Sequence, residues 1–131
     1  MPGYADPELL ICGWLQPRLG CKLWADPRLP ADWSFTAPLG HVQRGQGDAD
    51  RVVGLDAVLL DVDFYDRSAD RARSVADWCR TQMRMHLPGC QFDSGILVTA
   101  VETVTAPFWA PDPEVFRRSA TYRAYLAGVL P

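Results

Sequence analysis

The segment "LLDVDFYDRSADRARSVADWCR", residues 59–80, contains the clearest strand and the clearest helix of the chain. The strand extends back to Val58, and its alternate residues on one side are all apolar: Val58, Leu60, Val62 and Phe64. A period of two with one apolar face predicts a strand that buries that face. After Asp66 the apolar residues recur instead at spacings of three and four, which predicts a helix with one apolar stripe: Ala69, Ala72, Ala76, Cys79 and Met83.

The limits of this helix are also visible in the sequence. Asp66 and Ser68 are both good N-cap residues, and Leu87-Pro88-Gly89 ends the pattern. Small residues fill the first half of the stripe, so the helix can lie close to a sheet. Its other side carries several arginines, which indicates a solvated face with pairs such as Asp70–Arg73, or a charged surface that faces a neighbouring subunit or a channel.

The first half of the chain predicts one further helix and two short strands. Residues 6–16 begin with Asp6 as N-cap and Pro7 as first helical residue, and Pro17 with Gly20 ends the run. The apolar residues at helical spacing there are Leu9, Leu10, Gly13 and Trp14. Strands are predicted at residues 21–25 and 41–44. A proline-rich loop with Trp33 and Phe35 as aromatic anchors joins them, and residues 44–50 form a hydrophilic, flexible tip.

The last quarter predicts two strands, residues 98–105 and 116–129, around "APFWAPDP" at residues 106–113. We interpret that centre as a proline-locked aromatic loop, although a hairpin needs only a two-residue turn. Neighbouring strands in pairs favour an antiparallel sheet. The prediction is therefore one α+β domain over residues 1–131, with the N-terminal helix and the longer central helix packed on one face of the sheet.

Composition narrows the class of protein. A chain of 131 residues suits one domain, and a net charge of −3 gives no strongly basic surface for nucleic acid. The four cysteines form no C-x-x-C pair, so we expect reduced thiols in a cytosolic protein. No apolar run is long enough to span a membrane.

Residues that could carry chemistry are few. Asp61 and Asp63 share one strand face and could hold a divalent cation, but the polar face of a half-buried strand is the favoured interpretation. Cys79, His86 and Cys90 do not have zinc-site spacing, and "RGQGD" at residues 44–48 is not a phosphate loop. We expect no catalytic activity, no metal and no cofactor.

The layout as a whole resembles the tail terminator proteins, also called minor tail proteins, of long-tailed bacteriophages, in particular those that infect actinobacteria. The resemblance covers most of the chain. Its most specific parts are the strand-to-helix junction at residues 61–73 and the segment "PFWAPDPEVFRRSATYR" at residues 107–123. These are a layout with a few characteristic residues, and they include no catalytic signature.

The resemblance implies a structural role in the virion. Such a protein forms a homohexameric ring at the head-proximal end of the tail tube, stops the tube from polymerising and joins the tail to the head connector. Its implied partners are itself, the major tail tube protein, the connector or neck proteins, and the phage DNA that passes through the lumen without sequence-specific binding. The implied location is the virion, assembled in the host cytoplasm, with no membrane contact.

A ring subunit needs surfaces that meet a neighbour or the tube. The candidate residues are Arg44 and Asp48 in the tip, Asp61 and Asp63 on the central strand, and Pro107, Phe108, Trp109, Pro111, Asp112, Arg117, Arg118 and Arg123 in the last quarter. Prolines would stiffen such a surface, aromatic rings would supply buried area, and arginines would pair with carboxylates across subunits. The sequence also allows Phe108 and Trp109 to pack on the domain's own core.

Other functions remain open at this level. A neck or head-completion protein has a similar small α+β layout. A small enzyme or ligand-binding domain would use Asp61, Asp63 and His41, and a toxin–antitoxin or regulatory module would need a binding surface that the sequence does not reveal.

Overall fold

A computed structural model of the protein describes residues 6–31, 33, 37–47, 49–52 and 55–128. Phe35, Asp48 and the end of the last predicted strand at residue 129 lie outside the described residues. The elements in chain order are α1 (Pro7–Leu19), β1 (Lys22–Trp24), β2 (Leu39–Arg44), β3 (Asp50–Val52), β4 (Leu55–Asp66), α2 (Ala69–Thr81) with a π-helical continuation (Gln82–His86), β5 (Leu97–Ala110) and β6 (Phe116–Ala127). Within the described ranges, no helix is both long and apolar enough to cross a membrane.

Strand β4 is the centre of the sheet. It pairs with β2 and β3 along one side and with β6 along the other, and the sheet order is β1-β2-β4-β6-β5. The predicted α+β class is confirmed. All strand pairs are antiparallel except β1 with β2, so the sheet is mixed rather than antiparallel throughout. The reason is the long connection of residues 25–38, because consecutive parallel strands need a crossover rather than a tight turn.

The core lies between the sheet and the two helices. The predicted inward face of β4 is confirmed, and all four of its side chains are at most 1% exposed: Val58, Leu60, Val62 and Phe64. Ala76 and Cys79 of α2 belong to the same cluster, and Ala72 is fully buried beside them. The strand and helix of the opening segment therefore pack as their two periods predict.

Side chains from the two neighbouring strands of the sheet also fix one glycine. A Cβ atom at Gly40 of β2 would lie 2.8 Å from Cγ of Leu23 and 2.9 Å from Cε1 of Phe64. Those distances are shorter than van der Waals contact, so a side chain at this position would overpack the core.

Both predicted caps of α2 are used. Ser68 is the N-cap, and its hydroxyl accepts a hydrogen bond from the Arg71 backbone N–H at 3.2 Å. The fully buried Asp66 carboxylate accepts the Ser68 N–H at 2.8 Å and two nitrogens of the Arg71 guanidinium. Asp66 therefore joins the end of β4 to the first turn of α2.

Helix α1 begins as predicted but buries a different face. Asp6 is the N-cap, and its carboxylate accepts the N–H groups of Glu8 and Leu9. The helix does not stop at Pro17 but continues to Leu19 and ends at Gly20, which has φ 67°. Its buried residues are Pro7, Ile11, Cys12 and Leu15, while Leu9 is 61% exposed. The helix is apolar on most sides, so its periodicity does not select a face and packing against the sheet decides.

Strand β5 does not alternate regularly between buried and exposed residues. Val98 and Val101 are both buried although they are three residues apart. Register shifts occur between Val98 and Ala100, between Thr103 and Thr105, and between Thr105 and Phe108. Each shift places an extra residue in β5 against β6, and such a bulge reverses the faces that the following residues occupy.

Replacing Ala76 by Leu should overpack the seam between α2 and the sheet, because Ala76 is 3% exposed. We expect a loss of roughly 1–3 kcal/mol in the free energy of unfolding, measured by urea denaturation. Arg80→Leu, at an exposed position of the same helix, is the control and should change stability by less than about 0.5 kcal/mol. Equal stabilities of the two variants would show that α2 does not pack at Ala76.

Alkaline pH should destabilise the fold. Burial raises the pKa of the Cys12 and Cys21 thiols to about 11, and burial also raises the pKa of Cys79 and Tyr122. The unfolded chain ionises its thiols near about 8.5 while the folded chain keeps them neutral, so the stability they contribute is lost as pH rises from there towards 11. Urea unfolding at several pH values should show this decline. A Cys12→Ala/Cys21→Ala variant should decline less steeply, and an unchanged slope would contradict the assignment.

Candidate functional site

The β5–β6 hairpin carries most of the predicted interface residues, but its shape differs from the prediction. Residues 106–110 belong to strand β5 and not to a loop, so the turn covers only residues 111–115. Pro107 is compatible with a strand here because β5 is the outermost strand and a bulge lies beside it. Asp112 orders the turn, since its Oδ1 atom accepts the N–H groups of Glu114 and Val115 at 2.9 and 3.0 Å.

Three large aromatic side chains of this hairpin are exposed. Phe108 is 45% exposed, Trp109 39% and Phe116 48%. The rings of Trp109 and Phe116 lie 5.8 Å apart, on the side of the sheet that carries the helices, and Phe108 points to the opposite side. The interpretation that Phe108 and Trp109 pack in the core is therefore wrong, because the core ends before this part of the hairpin. We call Trp109, Phe116 and the turn 111–115 the hairpin patch.

Two arginines hold the Trp109 ring. The guanidinium carbon of Arg118 lies 4.7 Å from the ring centroid and that of Arg73, from α2, lies 5.5 Å from it. Arg73 also forms the predicted pair with Asp70, at 3.3 Å. Arginine over an indole ring is a favourable cation–π contact and also covers apolar surface. The hairpin patch is thus fixed against the first turns of α2, with a cleft of about 420 Å³ between them.

Arg117 and Asp63 form an ion pair within the subunit, at 3.0 Å. Burial opposes the charge of Arg117, but Asp63 and Tyr65 outweigh it and raise the pKa of the guanidinium. Burial, followed by the charge of Asp63, raises the pKa of the Tyr65 hydroxyl. The sequence predicted that Arg117 and Asp63 pair across subunits, whereas within the subunit they pair with each other.

Arg123 and Asp61 are also engaged within the chain. Arg123 lies 3.6 Å from the Glu102 carboxylate, and Asp61 accepts a hydrogen bond from the Thr121 hydroxyl at 2.8 Å. These contacts lie on the sheet face opposite the helices. Of the three arginines predicted at an interface in the last quarter of the chain, Arg118 is therefore the one that contacts the exposed Trp109 ring.

Arg44 is anchored rather than part of a free tip. Its guanidinium makes two contacts of 3.1 Å with the nearly buried Asp56 carboxylate, and its backbone N–H donates to Glu8 at 2.7 Å. Asp48, the other candidate of this segment, lies outside the described residues.

The three residues of the enzyme alternative do lie together. His41 and Asp63 are directly opposite each other in the β2–β4 ladder, and Asp61 is on the same face. The His41 ring contacts the Asp26 carbonyl, Asp63 holds Arg117 and Asp61 accepts from Thr121. Among the described residues, no group of three or more His, Cys, Asp or Glu side chains is placed to hold a metal ion. All four cysteines are free thiols.

A second surface was missed by sequence reasoning. An apolar groove of about 390 Å³ lies between the end of α1 and the flank of α2 that faces away from the hairpin. We call it the helical groove, and its apolar lining is Leu19, Cys21, Pro38, Val75 and Trp78. Trp78 is 48% exposed and donates its indole N–H to the Arg18 carbonyl at 3.3 Å. The sequence did contain a sign of this groove. Val75 and Trp78 are large apolar residues three apart in α2, and Trp78 does not belong to the apolar stripe that faces the core.

Comparison with known proteins gives no assignment: no protein-family model matches the chain, and neither does any curated protein.

Replacing Trp109 by Ala should destabilise the subunit only moderately, since the ring is 39% exposed. We expect a smaller loss in the free energy of unfolding than the roughly 3–5 kcal/mol of a buried aromatic. Phe64→Ala, at a position 1% exposed, is the matched control and should show that larger loss. Urea denaturation at low protein concentration measures both. A Trp109→Ala loss as large as that of Phe64→Ala would place Trp109 in the core after all.

Proposed function

We propose that this protein is a structural virion protein, a tail terminator that forms a ring at the head-proximal end of a phage tail tube. In this role it stops tube polymerisation and joins the tail to the head connector, and it needs neither cofactor nor metal. Its partners are further copies of itself, the major tail tube protein and the connector or neck proteins. Phage DNA passes through the lumen without sequence-specific contacts.

The observation that carries the proposal is the exposed aromatic surface of the β5–β6 hairpin. Three rings that are 39–48% exposed lie within nine residues of one hairpin, and two arginines hold the Trp109 ring, which the Phe116 ring contacts. Aromatic side chains and arginine are the residues enriched at protein–protein interfaces. A prearranged apolar surface loses little conformational entropy on association, so it suits an assembly subunit.

The resemblance in layout supports the more specific assignment. The strand-to-helix junction at residues 61–73 forms a capped unit around the buried Asp66, and residues 107–123 form the hairpin with the exposed rings. The segments on which the resemblance rests thus build two structural features of this subunit, its sheet–helix joint and its hairpin patch.

The test is assembly of the purified protein. Light scattering after size exclusion and negative-stain electron microscopy should show a closed ring. Adding that ring to polymerising tail tube protein from the same virus should shorten the tubes. A neck protein would form a ring or bind the connector without shortening tubes, and a protein that stays monomeric at all concentrations would contradict the proposal.

Trp109→Ala should weaken assembly more than it weakens the subunit. We expect a ring that dissociates at a higher protein concentration than the wild type does, and tails of abnormal length or unjoined heads and tails in the virus. Val104→Ala, at an exposed apolar position of β5 outside the hairpin patch, is the control and should assemble normally. Complete rings from a folded Trp109→Ala variant would remove Trp109 from the interface.

A further inference from the structure

The hairpin patch and the helical groove lie on opposite flanks of helix α2. Ala69 and Arg73 line the cleft beside the hairpin, whereas Val75 and Trp78 line the groove. Residues three or four apart share one side of a helix, and each turn has 3.6 residues, so these two pairs face well apart around the helix axis. One subunit therefore presents two different apolar surfaces in different directions.

The two surfaces differ in shape. The hairpin patch projects, because the turn 111–115 extends past the paired ends of β4 and β6. The groove is an open depression of about 390 Å³. The turn offers Pro111, Pro113 and Val115 as compact apolar groups, and prolines limit the conformations that it loses on docking.

The charges of the two surfaces are complementary. The turn carries Asp112 and the exposed Glu114 and has no basic residue. At the groove, the Arg71 guanidinium is paired with the buried Asp66, whereas Arg18, which ends α1 next to Leu19, bonds the neutral Gln82 side chain at 3.2 Å. The one acidic residue of the groove, Asp70, is paired with Arg73. Both charged residues that line the groove are thus paired within the subunit, and the positive charge beside the groove that an acidic turn can meet is that of Arg18.

We propose that the turn 111–115 of one copy of this chain docks in the helical groove of the next copy. Because the contact joins two different surfaces, it is head-to-tail, and repeating it closes a ring or extends a filament rather than forming a two-fold dimer. Closure of this contact into a ring rests on the proposed function. The contact adds which residues form each side of the interface between two copies.

A cross-link between the two sides tests the contact directly. Cys21 is half-buried in the groove, so a cysteine at the exposed Pro113 should react with Cys21 of the neighbouring copy. The assembled full-length Pro113→Cys protein, with Cys90→Ser to remove the other half-buried thiol, is treated with a short thiol-to-thiol cross-linker. Burial raises the pKa of Cys21 to about 11, so the reaction is run at mildly alkaline pH with a long incubation.

We expect a ladder of covalent oligomers on denaturing gels, from dimer up to the ring, and loss of the ladder when Cys21 is also replaced by Ser. Ala106→Cys, at an exposed position of β5 outside the turn, is the position control and should give no ladder. Rings without a ladder would overturn the docking contact and leave the proposed function intact. A product that stops at the dimer would overturn the head-to-tail geometry, and a protein without any oligomer would overturn both proposals.

Charge reversal gives an independent measurement. Glu114→Arg should raise the protein concentration needed for ring formation about fivefold. This factor corresponds to the upper range of the free energy contributed by one exposed ion pair. Adding Arg18→Glu in the same chain should recover most of that loss, whereas Arg18→Glu alone should weaken assembly. Equal assembly of all three variants at low salt would show that these charges do not meet.

Discussion

The packing of small residues on α2 against the central strands is the contact on which the rest of the structure depends. Ala72 and Ala76 are at most 3% exposed and bring the helix close to β4 and β6. Asp66, buried at the end of β4, binds both Ser68 and Arg71 and so fixes the direction in which the helix leaves the sheet. Since α2 separates the hairpin patch from the helical groove, this one joint also sets where the two candidate contact surfaces face.

Strand β5, at one edge of the sheet, limits association through strand pairing and favours association through side chains. A free strand edge can pair with further strands, and bulges and prolines are the usual protection against this. Strand β5 has three register shifts and contains Pro107. The Arg84 guanidinium and the backbone of residues 89–91 also bind its first part. Its exposed aromatic side chains then remain as the means of contact, so association through side chains is favoured over extension of the sheet.

Arginines take three different roles that composition does not distinguish. Arg44, Arg71 and Arg117 each pair with a carboxylate that is nearly or fully buried and so stabilise the subunit itself. Arg73 and Arg118 lie against the Trp109 ring and shape the hairpin patch. Arg18 ends α1 beside the groove and stacks over Trp14 at 4.2 Å. The second and third groups belong to the candidate contact surfaces, and Arg71 of the first group also lines the helical groove.

The sequence by itself determined the α+β class, the inward face of β4, the start of α2 and both of its caps, because these follow from local periodicity and from side chains that bond to neighbouring backbone. It did not determine which face of α1 is buried, since that helix is apolar on most sides. It also could not reveal the bulges of β5, which depend on the partner strand. Tertiary structure decided that residues 106–110 form a strand, that Asp63 and Arg117 pair within the subunit, and that a groove forms beside Trp78. The ion pair and the groove join residues far apart in the chain, and the strand at residues 106–110 depends on bulges against β6, so no local pattern records these contacts.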